Sequence, residues 1–194
     1  MSDLKNKQLV CFFCRHHNPA ANIFCQNCDK ILTPNTDYFS KFGYPISFDI
    51  NISDCKNKYL DMQSKVHPDL FVKKSEIEQT LALNFASYLN DAYKTLKDEY
   101  LRSKYILKLN NIDLDNNPNQ YFKNSNEFLH EIMDITEAQE EAANDDEINQ
   151  IDNEINAKIS QTLLEIANDF KEEDYLKAAI DTIKLSYYQK VRKK

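Results

Sequence analysis

One glycine, Gly43, stands in a chain of 194 residues, and that scarcity removes whole classes of fold at once. Phosphate-cradling loops and dinucleotide fingerprints need several glycines, because the backbone must approach phosphate closely and adopt positive φ. The nucleophile elbow needs them too. What remains is a chain whose turns are made by Asn and Pro. Five prolines, little β-branched alternation and long stretches of Leu, Ile, Ala, Lys, Glu, Asn and Gln predict an all-α protein with polar turns. No apolar run approaches the roughly 20 residues of a membrane span, so no membrane partner is expected. The opening MSDLKNKQLVC shows neither a secretory apolar stretch nor an arginine-rich presequence. A reducing compartment is expected, the cytoplasm first.

Four of the five cysteines fall in the first 28 residues, as Cys11 and Cys14, then Cys25 and Cys28. Each CxxC turn points two thiolates at one ion, and two such turns close a tetrahedral shell, so the spacing predicts zinc. A redox dithiol would need only one pair. With no open coordination position, the zinc would be structural. His16 and His17 read as solvated loop residues and Cys55 as a buried apolar side chain. Knuckles of this kind also bind nucleic acid or protein, which leaves an adaptor function as the alternative. Charge argues against nucleic acid. Residues 125–174 carry 2 Lys and Arg against 16 Asp and Glu, residues 175–194 carry 6 against 1, and the chain nets −7.

Behind the knuckle, assigned to residues 1–34, a second block covers 35–113. Ser53 and Asp54 are candidate caps for a helix whose Cys55, Tyr59, Met62 and Val66 share one face and which Pro68 ends. A longer helix is expected from Ser75 to Leu96, with Ile77, Leu81, Phe85, Leu89, Ala92 and Leu96 inward, and a shorter one from Asp98 to Leu109. Residues 114–126 read as an asparagine-rich linker. The third block, 127–194, shows three apolar stripes: Phe128, Ile132 and Ile135; Ile148 through Phe170; and Leu176, Ile180, Ile183 and Tyr187. They predict a three-helix bundle. On the first of these helices Leu129, Met133 and Glu137 stack on a second face, with His130 and Asp134 beside it. The acidic run from Glu140 to Glu147 reads as a solvated helix end and turn.

His67-Pro68-Asp69 sits between two helices in a local positive patch from Lys58, Lys65, Lys73 and Lys74. Alone it is a capping turn. No Ser or Cys nucleophile accompanies it, and no catalytic residue is expected.

A helix, an HPD turn and a longer antiparallel helix resemble the J-domain. DYFSKFGYPISFDINISDCKNKYLDMQSKVHPDLF, followed by LNDAYKTLKDEYLRSKYILKLNNID, is similar to its HscB (Jac-type) branch. EFLHEIMDITEAQEE resembles that branch's first C-terminal helix, and FCQNCDKILTP its tetracysteine extension. The resemblance implies a non-enzymatic co-chaperone that stimulates the ATPase of a DnaK/HscA-type chaperone and brings it the iron-sulfur scaffold protein IscU. Carried over by motif, His67, Pro68 and Asp69 would trigger the chaperone and Lys58 and Lys65 would help dock its acidic surface. Leu129, His130, Met133, Asp134, Glu137 and Tyr187 would bind the scaffold. His130 stands where the family commonly has an apolar residue, and Ser186 where it commonly has a basic one. Family members work in bacterial cytoplasm or the mitochondrial matrix. The knuckle would stabilise the fold or support weak self-association, and both readings stay open.

Overall fold

The computed structural model describes residues 8–34, 37–116, 121 and 126–192. Most of the expected linker, residues 117–120 and 122–125, lies outside them. The chain divides into two units, Met1–Asp98 and Glu99–Lys194. The division falls before the third expected helix of the second block, earlier than the composition change at residue 113.

In the first unit, strands β1 (Gln8–Val10) and β2 (His17–Pro19) pair antiparallel with Leu9 opposite Asn18. Each CxxC then wraps in the same way. Cys11 N–H donates to His16 O and Arg15 N–H to Cys11 O, and the second turn repeats this with Cys25 to Lys30 and Asp29 to Cys25. Arg15 and Asp29 both sit at positive φ, 62° and 55°. That conformation suits glycine best, and this chain fills it with side-chain-bearing residues.

Helix α1 (Tyr38–Phe42) starts at Asp37, whose carboxylate accepts from Ser40 N–H, and stops at Gly43, φ 70°. The lone glycine is therefore a left-handed C-cap. Helix α2 (Ile52–Val66) is capped by Asn51, which accepts from Asp54 N–H; Ser53 and Asp54 lie inside the helix. Its buried residues are Cys55, Met62 and Val66, the expected face. Helix α3 (Glu76–Lys97) runs antiparallel to it: Tyr59 stacks on Tyr93 with centroids 4.4 Å apart, and Gln63 donates to Ala86 O. Ile77 departs from the expected inward row and is 51% exposed, because Glu78 turns inward instead.

The knuckle is fastened to these helices inside the same unit. Lys41 Nζ, at the end of a buried side chain, donates to Asn22 O at 2.9 Å and lies 4.8 Å from the centroid of Phe85. Lys30 Nζ pairs with Glu78 Oε1 at 3.0 Å.

The second unit holds α4 (Glu99–Leu109), α5 (Asn126–Glu141), α6 (Asp145–Lys171) and α7 (Tyr175–Val191). The three expected helices are present, and α4 joins them by packing on α7. Leu107 and Leu114 bury against Ala178, Ala179 and Ile183, and the hydroxyls of Ser103 and Thr182 bond each other. With α4, α5 and α6 all resting on it, α7 is buried on more than one side, so its register is set by small residues rather than by one stripe. Leu176 at the start of α7 and Ile148 at the start of α6 lie exposed, outside the expected stripes. The acidic run is exposed across the end of α5 and the start of α6, where the Asn144 side chain accepts from Glu147 N–H and the Glu147 carboxylate accepts from Ala143 N–H.

Candidate functional site

The sulfurs of Cys11, Cys14, Cys25 and Cys28 all lie within 4.8 Å of one another. Cys11 to Cys28 is 3.6 Å and Cys14 to Cys25 is 3.5 Å. Four thiolates around an ion at bonds of about 2.3 Å would have edges of about 3.8 Å, so the donor set fits a tetrahedral metal ion with little movement. Burial pushes Cys25 up, but amides of Asn27 and Cys28 and the thiol of Cys14 outweigh it and bring it down to about 6. The amide of Lys30 lowers Cys28, yet burial and the three neighbouring thiols prevail and push it up to about 12. Four such groups do not ionise together without a cation between them. Asn18, buried under the site, donates its side-chain amide to His16 O and toward Cys25 Sγ and accepts from Gln26 N–H, tying the two turns together. His16 and His17 are exposed and outside the sulfur cluster.

At the end of α2, His67 adopts the extended backbone that a following proline demands, and Pro68 starts a single 3-10 turn, Pro68–Phe71. Phe71 is buried and anchors the turn. The functional groups point outward: the side chains of His67 and Asp69 are 58% and 85% exposed. His67 Nδ1 lies 3.4 Å from Asp69 N and 3.5 Å from Asp69 Oδ2, contacts too long to lock either group. Lys58 and Lys65 lie on the same helix, each paired with the aspartate four residues before it, Asp54 at 2.9 Å and Asp61 at 2.7 Å. Asp54 also accepts the Tyr44 hydroxyl at 2.6 Å, and the Lys58 ammonium lies 4.0 Å from the centroid of the Tyr44 ring. The bond from Tyr44, then the pairing with Lys58, hold the Asp54 carboxyl below the usual range.

On α5, Phe128 and Ile135 are buried, while Leu129 is 40% and Met133 56% exposed. His130, Asp134 and Glu137 are exposed too. Leu129 and Met133 therefore form an outward apolar pair with a polar border. Tyr187, on α7, is half-buried, and its ring packs edge-on against Phe128 at 5.8 Å with Lys190 above it.

Sequence reasoning missed the groups that fasten the HPD loop. Ser75 accepts from Glu78 N–H and donates to Glu78 Oε2, and Gln79 donates its side-chain amide to the carbonyls of Val72 and Lys74. The pattern Ser75-Glu76-Ile77-Glu78 is a capping-box signature and was legible. The long-range partner, Lys30, was not.

Comparison with known proteins agrees with this arrangement. Residues 124–194 match the family described as the HSCB C-terminal oligomerisation domain. The mouse iron-sulfur cluster co-chaperone protein HscB is 30% identical over 189 residues, covering 95% of this chain and 80% of its own. The co-chaperone HscB of Proteus mirabilis is 41% identical over 101 residues, 52% of this chain and 57% of its own. Among solved structures, human HscB superposes with a TM-score of 0.86 at 28% identity, covering 94% of both chains. HscB of Vibrio cholerae gives 0.74 at 29% identity over 81% of this chain and 94% of its own. With its cysteine cluster, its HPD turn between two antiparallel helices and its matching C-terminal helices, the chain belongs to the HscB family of co-chaperones.

Proposed function

We propose that this protein is a J-domain co-chaperone that stimulates the ATPase of a DnaK/HscA-type chaperone and delivers an IscU-type iron-sulfur scaffold protein to it. The observation that carries the reading is the exposed His67-Pro68-Asp69 turn on a rigid base. Phe71 is buried beneath it while His67 and Asp69 reach into solvent with no strong intrachain bond, so both are available to a partner. Lys58 and Lys65 would steer an acidic chaperone surface onto the same face. Their pairs with Asp54 and Asp61 are exposed and of the kind worth about 0.5 kcal/mol, so a partner's carboxylates can replace them at small cost.

The scaffold would rest on α5. Leu129 and Met133 supply apolar area at the centre, and His130, Asp134 and Glu137 supply the polar rim that such interfaces use. Tyr187 would act mainly through Phe128, as a support of α5. The four cysteines would hold zinc, which when bound supplies a fixed tetrahedral joint between the two knuckle turns. The assembly would act without chemistry of its own, in a reducing compartment such as bacterial cytoplasm or the mitochondrial matrix.

The test is the single-turnover ATPase rate of the cognate chaperone with and without this protein. Wild type raises it, and His67→Gln abolishes the rise while leaving circular dichroism unchanged, since the His67 side chain is mostly exposed and held only by long contacts to Asp69. Full stimulation by His67→Gln would refute the reading.

A further inference from the structure

The loop between the HPD turn and α3 is held by the first turn of α3, and that turn is held by the knuckle. Gln79 secures the carbonyls of Val72 and Lys74, and Ser75 and Glu78 form a reciprocal cap through one carboxylate oxygen of Glu78, Oε2. The other oxygen, Oε1, takes Lys30 Nζ at 3.0 Å. Glu78 is 6% exposed, so Lys30 is the partner that keeps a buried carboxylate from standing half-satisfied. Lys30 in turn is fixed by the knuckle. It follows Asp29 at positive φ, and its carbonyl accepts Cys25 N–H at 2.9 Å, which makes its backbone part of the second CxxC turn.

We propose that Lys30 and Glu78 are positioning residues for the HPD loop, through which the closed four-cysteine knuckle sets the order of residues 68–79. A knuckle that opens would release Lys30, leave Glu78 unpaired and loosen the cap from which the loop hangs. The knuckle is then a brace for the chaperone-facing loop. This inference deepens the co-chaperone reading, and its test does not depend on it.

The test is amide hydrogen exchange on the full, metal-loaded chain, with bound metal counted in each variant. Lys30→Met should keep one metal ion per chain, yet speed exchange at Leu70, Lys74, Glu78 and Gln79 about tenfold, the effect of unpairing a buried charged hydrogen bond. Lys30→Arg should restore protection. Glu78→Gln, which keeps the contact with Ser75 and removes the charge, should loosen the same amides if Lys30→Met folds poorly. Chelation should speed these amides in wild type and add little in Lys30→Met. Unchanged protection in both Lys30→Met and Glu78→Gln would overturn the proposal, as would chelation loosening the loop equally in wild type and Lys30→Met. Because exchange needs no chaperone, failure of the His67→Gln experiment would remove the co-chaperone reading and leave this result standing.

Discussion

Lys41 is an ammonium placed where few charges go, against the face of Phe85 with one backbone carbonyl as its hydrogen-bond partner. Burial pushes it from the usual lysine value of 10.5 down to about 8. Between those two values the unfolded chain keeps a proton that the folded chain has released. Stability therefore rises with pH across that window, and below pH 8 the cost of the buried charge is present in full. The difference corresponds to about 3 kcal/mol at most. Lys41→Met removes the titration, and with it the Asn22 O contact. The expected outcome in urea titrations at pH 8 and pH 10.5 is that wild type gains about 2–3 kcal/mol over Lys41→Met across the window. Parallel curves for the two proteins would mean that the ammonium is solvated. Nothing in the sequence marks Lys41 for burial, because its partner lies 19 residues away on the knuckle. Arg15 belongs to the same class. Its φ of 62° suits glycine, so Arg15→Gly should raise resistance to urea by up to about 1 kcal/mol with the metal still bound.

At the scale of elements, the sequence was most legible where one helix face meets one neighbour. The α2 stripe and the core of α3 follow the 3.6-residue period because each packs on the other. It was least legible at helix starts and in α7. Ile77 lost its inward place to Glu78 because an ion pair with Lys30 was available there, and apolar periodicity carries no information about such a partner. Helix α7 is surrounded, so burial spreads to Thr182 and Asp181 and no single stripe describes it. The HPD turn, the four cysteines and the α5 face were visible in full because each is written in adjacent residues or at helical spacing. The α5 face also yields a test. Leu129 and Met133 lie four apart, both exposed, with Phe128 and Ile135 filling the core behind them. Leu129→Ala with Met133→Ala should weaken binding of an IscU-type scaffold by at least about 2 kcal/mol, with thermal stability unchanged, if the pair is the centre of the interface. Isothermal titration calorimetry reads the first quantity and a melting scan the second. Unchanged affinity would move the contact elsewhere on the bundle.

For the molecule as a whole, the second unit and the knuckle stand on different kinds of support. The second unit has long helices, a buried aliphatic cluster and aromatic packing of Phe128 between Tyr187 and Tyr188. The knuckle has Leu9 and Leu32 packed beside its cysteines, and Ile31 buried next to Leu32. So few buried aliphatic side chains fall far short of the conformational entropy lost on ordering the two turns. A metal ion held by the four thiolates would supply much of the missing support, since binding at a closed thiolate site is itself folding free energy. Chelation of the full chain should therefore cost the amides of Cys11, Arg15, Cys25 and Asp29 their protection first, since their bonds exist only while the two turns are wrapped. The Lys41 ammonium should lose its acceptor next, because Asn22 O belongs to the knuckle. Amides in the middle of α6 and α7 should keep their rates, as nothing in that core involves the cysteines. Equal loss across both units would show that the metal supports the bundle as well. Retained protection at Cys11 and Cys25 without metal would show that the sulfur cluster is held by packing alone, against the small core that the knuckle contains.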